Sequence, residues 1–430
     1  MIPIVMLFFG MLVLMILGIP LAFSILGIST VVFLVFTDIP FWQIAQRFFS
    51  GIDSFVLTAI PFFLLAGNLM NTGKITDKLM NLSSSMVGHI RGGLAHINVL
   101  VSFLFGGISG SAVADTSGIG TILIPAMIKK GYSPEFTVSV TATSSVLGQI
   151  VPPSLIMIIY AATANTSVQA MFLAGIIPGI LLALTMMIVS YVYAIKYDYP
   201  REERTTFKQF LHVFRDSLST LVMPLLIIGG VLFGIFTATE SAVIAVVYSL
   251  IITMLVDKTI DLPKLKEVLI VTAKSSATSL FCIGTASVFG YLMAYFRVNK
   301  LVGDLMLAMN LSANTYILFV VLLFFILGLF MDAAPAIYIF VPIVIPLGSM
   351  LGLHPVHLGI IICLILAFGL VTPPYGLCLL LSCQIAGINT RRVMKDLAVM
   401  LGAIFVMLLF IIYFPDIIMS LPRLLAAKYV

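Results

Sequence analysis

Two aspartates and a small set of hydroxyl and amide side chains interrupt long apolar runs in this sequence. Asp332 follows the interruption at 328–331, and Asp115 follows a Gly/Ser-rich stretch at 109–111. An acidic residue inside an apolar segment is costly, which makes it a candidate for binding an ion or a substrate. The alternative for Asp332 is to cap the helix that begins near Pro335, and Asp115 could equally cap its own helix.

Paired prolines interrupt two other apolar runs, at Pro152-Pro153 and at Pro373-Pro374. A proline lacks an N–H, and its ring displaces the carbonyl four residues earlier. We therefore expect unpaired carbonyls at Gly148, Gln149, Gly369 and Leu370. Such carbonyls are costly in an apolar interior unless something binds them, and Na⁺ is a suitable hard cation. A simple kink without a ligand is the alternative, but two related kinks favour a site.

These interruptions predict two groups of ligands. The predicted sodium ligands are hydroxyls and backbone carbonyls near the breaks, namely Ser109, Gly148, Gln149, Val151, Gly328, Gly369 and Thr372. The predicted substrate ligands are Ser111, Asp115, Ser154, Asp332 and Tyr375. Half-helices that restart at Ser154 and Tyr375 would direct free N–H groups at a carboxylate. Bonding of each hydroxyl to its own helix is the alternative. No transition-metal site is expected.

The composition places these residues in a membrane. The chain has 430 residues, of which 61% are hydrophobic and 9% charged, whereas soluble domains carry about 25% charged residues. This excludes a water-soluble fold, and the high hydrophobicity excludes intrinsic disorder. Long unbroken apolar runs favour helices over barrel strands, with room for about ten to fourteen crossings. The fold class is therefore an all-α polytopic membrane protein.

An internal repeat relates the two halves of the chain. Ile124-Pro125 corresponds to Ile345-Pro346, and Pro152-Pro153 corresponds to Pro373-Pro374, in both cases 221 positions later. The same offset relates Gly148 to Gly369. A constant separation across several Pro/Gly features indicates a duplication.

Charge predicts that the two copies are inverted. Lys129-Lys130 in the first copy corresponds to Met350-Leu351 in the second. Because positive loops face the cytoplasm, the first loop is expected inside and the second outside. Inverted repeats are found in many secondary transporters. For the crossings to close, residues 94–128 and 313–349 must each form a re-entrant hairpin, beside the two helices broken at Pro-Pro.

Other classes of function lack their sequence features. The motifs HExxH, GxxxxGK[ST], CxxCH and GxSxG are absent, so we expect no enzyme and no organic cofactor. No basic tract interleaved with aromatic residues indicates nucleic-acid binding. A membrane subunit of a respiratory or ion-pumping complex is the rival class, but it would need buried Lys, Glu or His relays, which this chain almost lacks.

Several motifs resemble the large membrane (M) subunit of tripartite ATP-independent periplasmic (TRAP) transporters, the DctM-like family, and are similar overall to its sialic-acid branch. The runs that carry this resemblance are 18–23, 60–68, 91–96, 107–115, 120–127, 234–245 and 372–376. The resemblance implies an elevator-type importer in the bacterial inner membrane, coupled to Na⁺. It also implies a small membrane (Q) subunit, a periplasmic substrate-binding (P) subunit and an organic acid substrate, with sialic acid favoured and C4-dicarboxylates as the alternative.

The resemblance also implies a division of the chain into a scaffold and a transport domain. The expected parts are a scaffold with an interfacial arm helix at 1–90, the first transport repeat at 91–168, scaffold spans at 169–275 with a cytoplasmic loop at 196–217, a span and a second arm helix at 276–312, the second transport repeat at 313–395 and a C-terminal span at 396–430.

Overall fold

The computed structural model describes residues 2–73, 75–308 and 312–429, and every regular element in these ranges is a helix. The first five helices are α1 (Ile2–Ile16), α2 (Leu21–Phe36), α3 (Trp42–Ile52), α4 (Ala59–Thr72) and α5 (Ile75–Val87). The next six are α6 (Gly93–Ser109), α7 (Ala112–Lys129), α8 (Pro134–Ser145), α9 (Leu147–Ile150), α10 (Leu155–Ala164) and α11 (Val168–Lys196).

The second half has the same character. Its helices are α12 (Phe207–Leu232), α13 (Ala238–Leu250), which continues into a π-helical segment (Ile251–Val256), α14 (Leu262–Tyr295), α15 (Val298–Ala308), α16 (Ala313–Gly328), α17 (Ala333–Met350), α18 (Pro355–Gly369), α19 (Leu377–Ala386), α20 (Thr390–Tyr413) and α21 (Pro415–Leu425). A 3₁₀ turn (Ala427–Tyr429) follows.

The helices confirm the prediction of an all-α multi-pass membrane protein. Within the described ranges, six helices are long and apolar enough to cross a membrane, or seven if the bent pair 134–150 and 155–164 is one span. Seven further apolar helices have only 10–17 residues. In the described residues, the expected series of about ten to fourteen full crossings is therefore replaced by fewer full-length spans and several shorter apolar helices.

Two helices are longer than predicted, because their starts carry capping residues. The predicted cytoplasmic loop 196–217 is helical from Phe207 onward, where Thr206 and Gln209 form a capping box. The predicted boundary between the parts 169–275 and 276–312 falls inside the single 34-residue helix α14. Asp261 caps its start, and no proline interrupts it after Pro263.

The helices pack in two groups. Helix α11 packs against α6, α10, α18, α20 and α21, whereas α12, α13 and α14 pack mainly against α2, α3, α4 and α5. The main contacts between the groups join α4 to α6, α5 to α6 and α14 to α17. The predicted division, which assigned all of 169–275 to the scaffold, stays a prediction, but the contacts of α11 are with the other group. Helix α11 follows α10 after a three-residue turn, so it folds back onto the elements around α10 instead.

Candidate functional site

The first helical turn-back, between α6 and α7, is built from a glycine and a serine. Gly110 has φ +61°, a left-handed conformation that glycine adopts without strain. Ser111 then caps α7 by accepting a hydrogen bond from the Ala114 N–H at 3.4 Å. The Ser109 hydroxyl lies beside this turn, 3.5 Å from the Ser111 carbonyl oxygen. The turn therefore presents two serine hydroxyls at the end of two apolar helices.

The second turn-back, between α16 and α17, presents a carboxylate. Helix α16 ends at Gly328, and α17 begins at Ala333 with Asp332 in the N-cap position. The Asp332 side chain makes no capping hydrogen bond. It is exposed to the cavity described below instead. The carboxylate is thus available to a ligand.

The two Pro-Pro breaks differ from the expectation of free carbonyls. Both Pro-Pro peptide bonds are cis. The Ser154 hydroxyl donates a hydrogen bond to the Gln149 carbonyl, and the Thr372 N–H donates to the Gly369 carbonyl at 3.2 Å. The Cys378 N–H donates to the Leu370 carbonyl at 2.9 Å. The prediction that these three carbonyls lack partners is therefore wrong, because each break closes a local turn. A carbonyl oxygen has two lone pairs, so each of these carbonyls can still coordinate a cation.

The helices that follow the two Pro-Pro breaks, α10 and α19, begin in different ways. Helix α10 begins at Leu155 and is capped by Ser154, which accepts from the Met157 N–H at 3.4 Å. Helix α19 begins at Leu377 with Gly376 in the N-cap position, so the expected restart at Tyr375 is wrong by two residues. Tyr375 lies in the turn before it.

Glycines bring each broken helix against its neighbouring turn-back. A Cβ on Gly148 would lie 3.0 Å from the carbonyl carbon and oxygen of Ser111. A Cβ on Gly369 would lie only 2.4 Å from the Gly328 carbonyl oxygen. The two predicted carbonyl ligands Gly328 and Gly369 are therefore in backbone contact with each other.

A cavity of about 540 Å³ lies between these elements. It brings together four of the predicted ligands, Ser109, Ser111, Gln149 and Asp332. Among the side chains that line it in the described part of the chain, Asp332 is the only charged one. The walls are otherwise hydroxyl, amide and aliphatic groups.

The other predicted ligands lie outside the cavity lining. Asp115 is completely buried, and neither carboxylate oxygen has a hydrogen-bond partner among the described residues, although Ser102 and Ser145 face it. Tyr375 lies close enough to Asp332 for the two side chains to interact electrostatically. The Thr372 hydroxyl donates to the preceding helix α18, at the Phe368 carbonyl, 2.8 Å away. Of the remaining five, Ser154 is buried at the break, Val151 is 7% exposed, and the three glycines make the backbone contacts described above.

The sequence reasoning missed five polar residues that line the cavity, of which Ser117 belongs to α7 and the other four belong to the other packing group. Asn68 and Asn71 of α4, and Ser275 and Ser279 of α14, face the turn-backs from the other packing group. The Asn68 amide also donates to the Thr272 hydroxyl at 3.0 Å, which ties α4 to α14. The signal was present as pairs of polar residues three or four positions apart in apolar helices, which share one helix face.

Replacing Ser154 with alanine is expected to destabilise the protein by about 1 kcal/mol, the usual cost of a lost N-cap. The buried hydroxyl both caps α10 and bonds the Gln149 carbonyl, so neither group would keep this partner. Thermal unfolding followed by circular dichroism measures the change. Ser420→Ala is the control, because Ser420 is exposed and bonds only its own helix. Equal melting temperatures for the two variants would contradict the capping role.

Comparisons with known proteins relate the chain to one family. The sequence model of "Tripartite ATP-independent periplasmic transporter, DctM component" matches residues 8–417. The protein YgiK of Salmonella typhimurium is 41% identical over 428 residues, covering 99% of this chain and 98% of that protein. The sialic acid TRAP transporter large permease SiaM of Vibrio cholerae is 34% identical, with 97% of each chain covered.

Two further similarities complete the comparison. The C4-dicarboxylate TRAP transporter large permease DctM of Rhodobacter capsulatus is also 34% identical, covering 97% of this chain and 98% of that protein. Among solved structures, the YdaH transporter of Alcanivorax borkumensis superposes with a TM-score of 0.62 at 16% identity, covering 87% of this chain and 86% of that one. The structural similarity to YdaH concerns the fold alone. The relatives named for sialic acid and for C4-dicarboxylates are both 34% identical to this chain.

Proposed function

This chain belongs to the DctM family of tripartite ATP-independent periplasmic transporters, and we propose that it imports a polyhydroxylated organic acid of the sialic-acid type together with Na⁺. The family membership makes it a transporter large permease, like its relatives. The observation that carries the proposal is the cavity in which Asp332 of one turn-back meets the hydroxyls of Ser109 and Ser111 of the other.

The charge of the site supports coupling to a cation. The carboxylate of an organic acid would enter a cavity whose only charged lining side chain, within the described residues, is itself a carboxylate. Two anions in a low-dielectric space repel strongly unless a cation lies between or beside them. The carboxylate of Asp115 is completely buried and only the hydroxyls of Ser102 and Ser145 face it, so its ionised form would need compensation as well. Sodium at the oxygen-rich breaks would supply that compensation.

The polar groups of the cavity favour a polyhydroxylated acid over a C4-dicarboxylate. Small dicarboxylates are typically bound by guanidinium groups in bidentate geometry, and no Arg or Lys lines this cavity in the described residues. The lining instead offers hydroxyls and amides, from Asn68, Asn71, Ser275 and Ser279 on one side and Ser109 and Ser111 on the other. Such groups pair with the hydroxyls of a sugar acid.

The packing supports an elevator movement between two bodies. We assign α6–α11 and α16–α21 to the moving transport domain, and α1–α5 and α12–α15 to the scaffold, because the cavity lies where the two groups meet. In this assignment α11 moves with the transport domain, unlike in the predicted division at 169. The two turn-backs would be the re-entrant hairpins of an inverted repeat. The protein would work in the inner membrane with a small membrane subunit and a periplasmic binding protein that delivers the acid.

Uptake by proteoliposomes that contain the full chain and its small membrane subunit, with the binding protein added outside, tests this function. We expect accumulation of radiolabelled N-acetylneuraminate under an inward Na⁺ gradient, and none when K⁺ replaces Na⁺ in the presence of a pH gradient. Equal uptake under the pH gradient would contradict sodium coupling. Accumulation of radiolabelled fumarate in place of N-acetylneuraminate would contradict the substrate and leave the transporter assignment intact.

A further inference from the structure

A second cavity, of about 560 Å³, lies beside the loop between α11 and α12 and shares no lining residue with the transport cavity. It is formed by the turn between α5 and α6, by the end of α11 and by the loop that follows α11. Two arginines line it, Arg91 from the turn and Arg201 from the loop, together with Tyr191 and Asp198. The predicted sodium and substrate ligands do not line this cavity within the described residues.

The charges around this cavity leave it positive. Arg91 pairs with Asp198 at 3.0 Å, and both side chains are at least half exposed, so the pair is weak and open to competition. Arg201 has no ion-pair partner among the described residues. The acid next to it in the sequence, Glu202, is already used, because its carboxylate contacts the Lys130 ammonium at 2.7 Å and the Ser84 hydroxyl at 2.6 Å. Two guanidinium groups therefore face one carboxylate.

The state of Glu202 agrees with this account. Partial burial raises the pKa of its carboxyl, but hydrogen bonds from Lys130 and Ser84 outweigh burial and hold the pKa below its ordinary value. Glu202 thus stays ionised and paired with Lys130 at neutral pH, and it does not neutralise Arg201.

An apolar path leads from the membrane to this cavity. Ile188, Val192 and Ile195 of α11 are 65%, 57% and 52% exposed. Tyr191 on the same helix lines the cavity itself. Tyrosine is typical of the membrane–water interface. Basic cavities beside transmembrane helices on the cytoplasmic side bind the headgroups of anionic phospholipids.

We propose that this cavity binds a phosphate group, held between Arg91 and Arg201, and that its source is an anionic phospholipid of the cytoplasmic leaflet. The guanidinium groups suit a phosphodiester because each presents paired N–H donors. The acyl chains then lie along the exposed apolar residues of α11. Free phosphate has the same charge chemistry but gains nothing from that apolar path.

Because of where the cavity lies, a bound lipid would affect the relative movement of the α5–α6 turn and the loop after α11. The loop after α11 holds the α5–α6 turn through backbone bonds, from the Gly92 N–H to the Pro200 carbonyl at 3.2 Å and from the Glu202 N–H to the Gly88 carbonyl at 2.9 Å. A phosphate that joins Arg91 to Arg201 adds a further link between the same two segments. It therefore stiffens the connection between α5 and the transport domain. This consequence rests on the proposed elevator function, whereas the binding itself does not.

Native mass spectrometry of the full chain in detergent tests the binding. After addition of phosphatidylglycerol, we expect Arg201→Gln to retain about tenfold less lipid than the unchanged protein, the loss appropriate to one charge-assisted hydrogen bond. Arg204→Gln is the matched control, because Arg204 is also exposed in the same loop and does not line the cavity. Phosphatidylcholine, which has the phosphate without the net charge, is expected to be retained weakly by all three proteins.

Two results would overturn the proposal. Equal retention of phosphatidylglycerol by Arg201→Gln and Arg204→Gln would remove the cavity as its site. Displacement of the lipid by millimolar inorganic phosphate would assign the site to a free anion instead. Neither readout requires uptake, so failure of this proposal and failure of the transport function are distinguishable.

Discussion

Asp332→Asn is expected to lower sodium-driven uptake by about ten- to hundredfold, the loss that follows when a charge-assisted interaction becomes a neutral one. Asparagine keeps the shape of the side chain and removes the only charge that lines the transport cavity in the described part of the chain. A site that compensates a substrate carboxylate with Na⁺ needs this charge to hold the cation. We therefore expect the Na⁺ concentration for half-maximal uptake to rise as well.

The melting temperature separates a binding role for Asp332 from a structural one. Its side chain occupies the N-cap position of α17 but makes no capping hydrogen bond, so Asp332→Asn is expected to leave thermal stability unchanged. Asp416→Asn is the control for uptake, because Asp416 is 82% exposed and pairs only with Arg423 on its own helix. Uptake equal to that of this control would remove Asp332 from the transport site. A lower melting temperature with normal Na⁺ dependence would assign it to capping instead.

The helix breaks around the candidate site could be predicted from sequence because they depend on local residue types. A glycine followed by a serine that can cap the next helix, and two consecutive prolines, both disfavour a continuous helix, so the local sequence indicates the breaks at 110–111, 151–154 and 370–376. Asp332 could be singled out because a carboxylate in an apolar run is costly in any arrangement. Neither inference requires knowledge of which helices touch.

The remainder depends on tertiary packing or on fine local geometry. Asn68 and Ser279 lie more than 200 positions apart and meet in the cavity only because α4 packs against α14. The partner of the Gly369 carbonyl, the Thr372 N–H, depends on how the turn closes after the helix ends. The assignment of α11 to one packing group likewise follows from contacts with α20 and α21, which lie far along the chain. Periodicity carries none of this information.

The contact between Gly369 and Gly328 gives the prediction with the largest expected effect on the structure of the site. Gly369→Ala places a methyl group 2.4 Å from the Gly328 carbonyl oxygen and 2.7 Å from its Cα, and both are backbone atoms that cannot rotate away. Helix α16 must therefore shift, at a typical overpacking cost of about 1–3 kcal/mol. The segment that shifts leads directly to Asp332, so we expect uptake to fall at least about tenfold as the carboxylate leaves its position.

The repeat-related glycine and a distant one set the scale for this prediction. Gly148→Ala brings its Cβ to 3.0 Å from the Ser111 backbone, a milder clash than in Gly369→Ala, so its losses of melting temperature and uptake should be smaller. Gly402→Ala meets no atom within 4 Å in the middle of α20, and the better helix propensity of alanine should stabilise it by up to about 1 kcal/mol. The expected order of both losses is Gly369→Ala, then Gly148→Ala, then Gly402→Ala. Equal uptake by Gly369→Ala and Gly402→Ala would mean that the clash is absorbed without moving Asp332. That result would contradict a site whose geometry depends on backbone contact between a broken helix and its neighbouring turn-back.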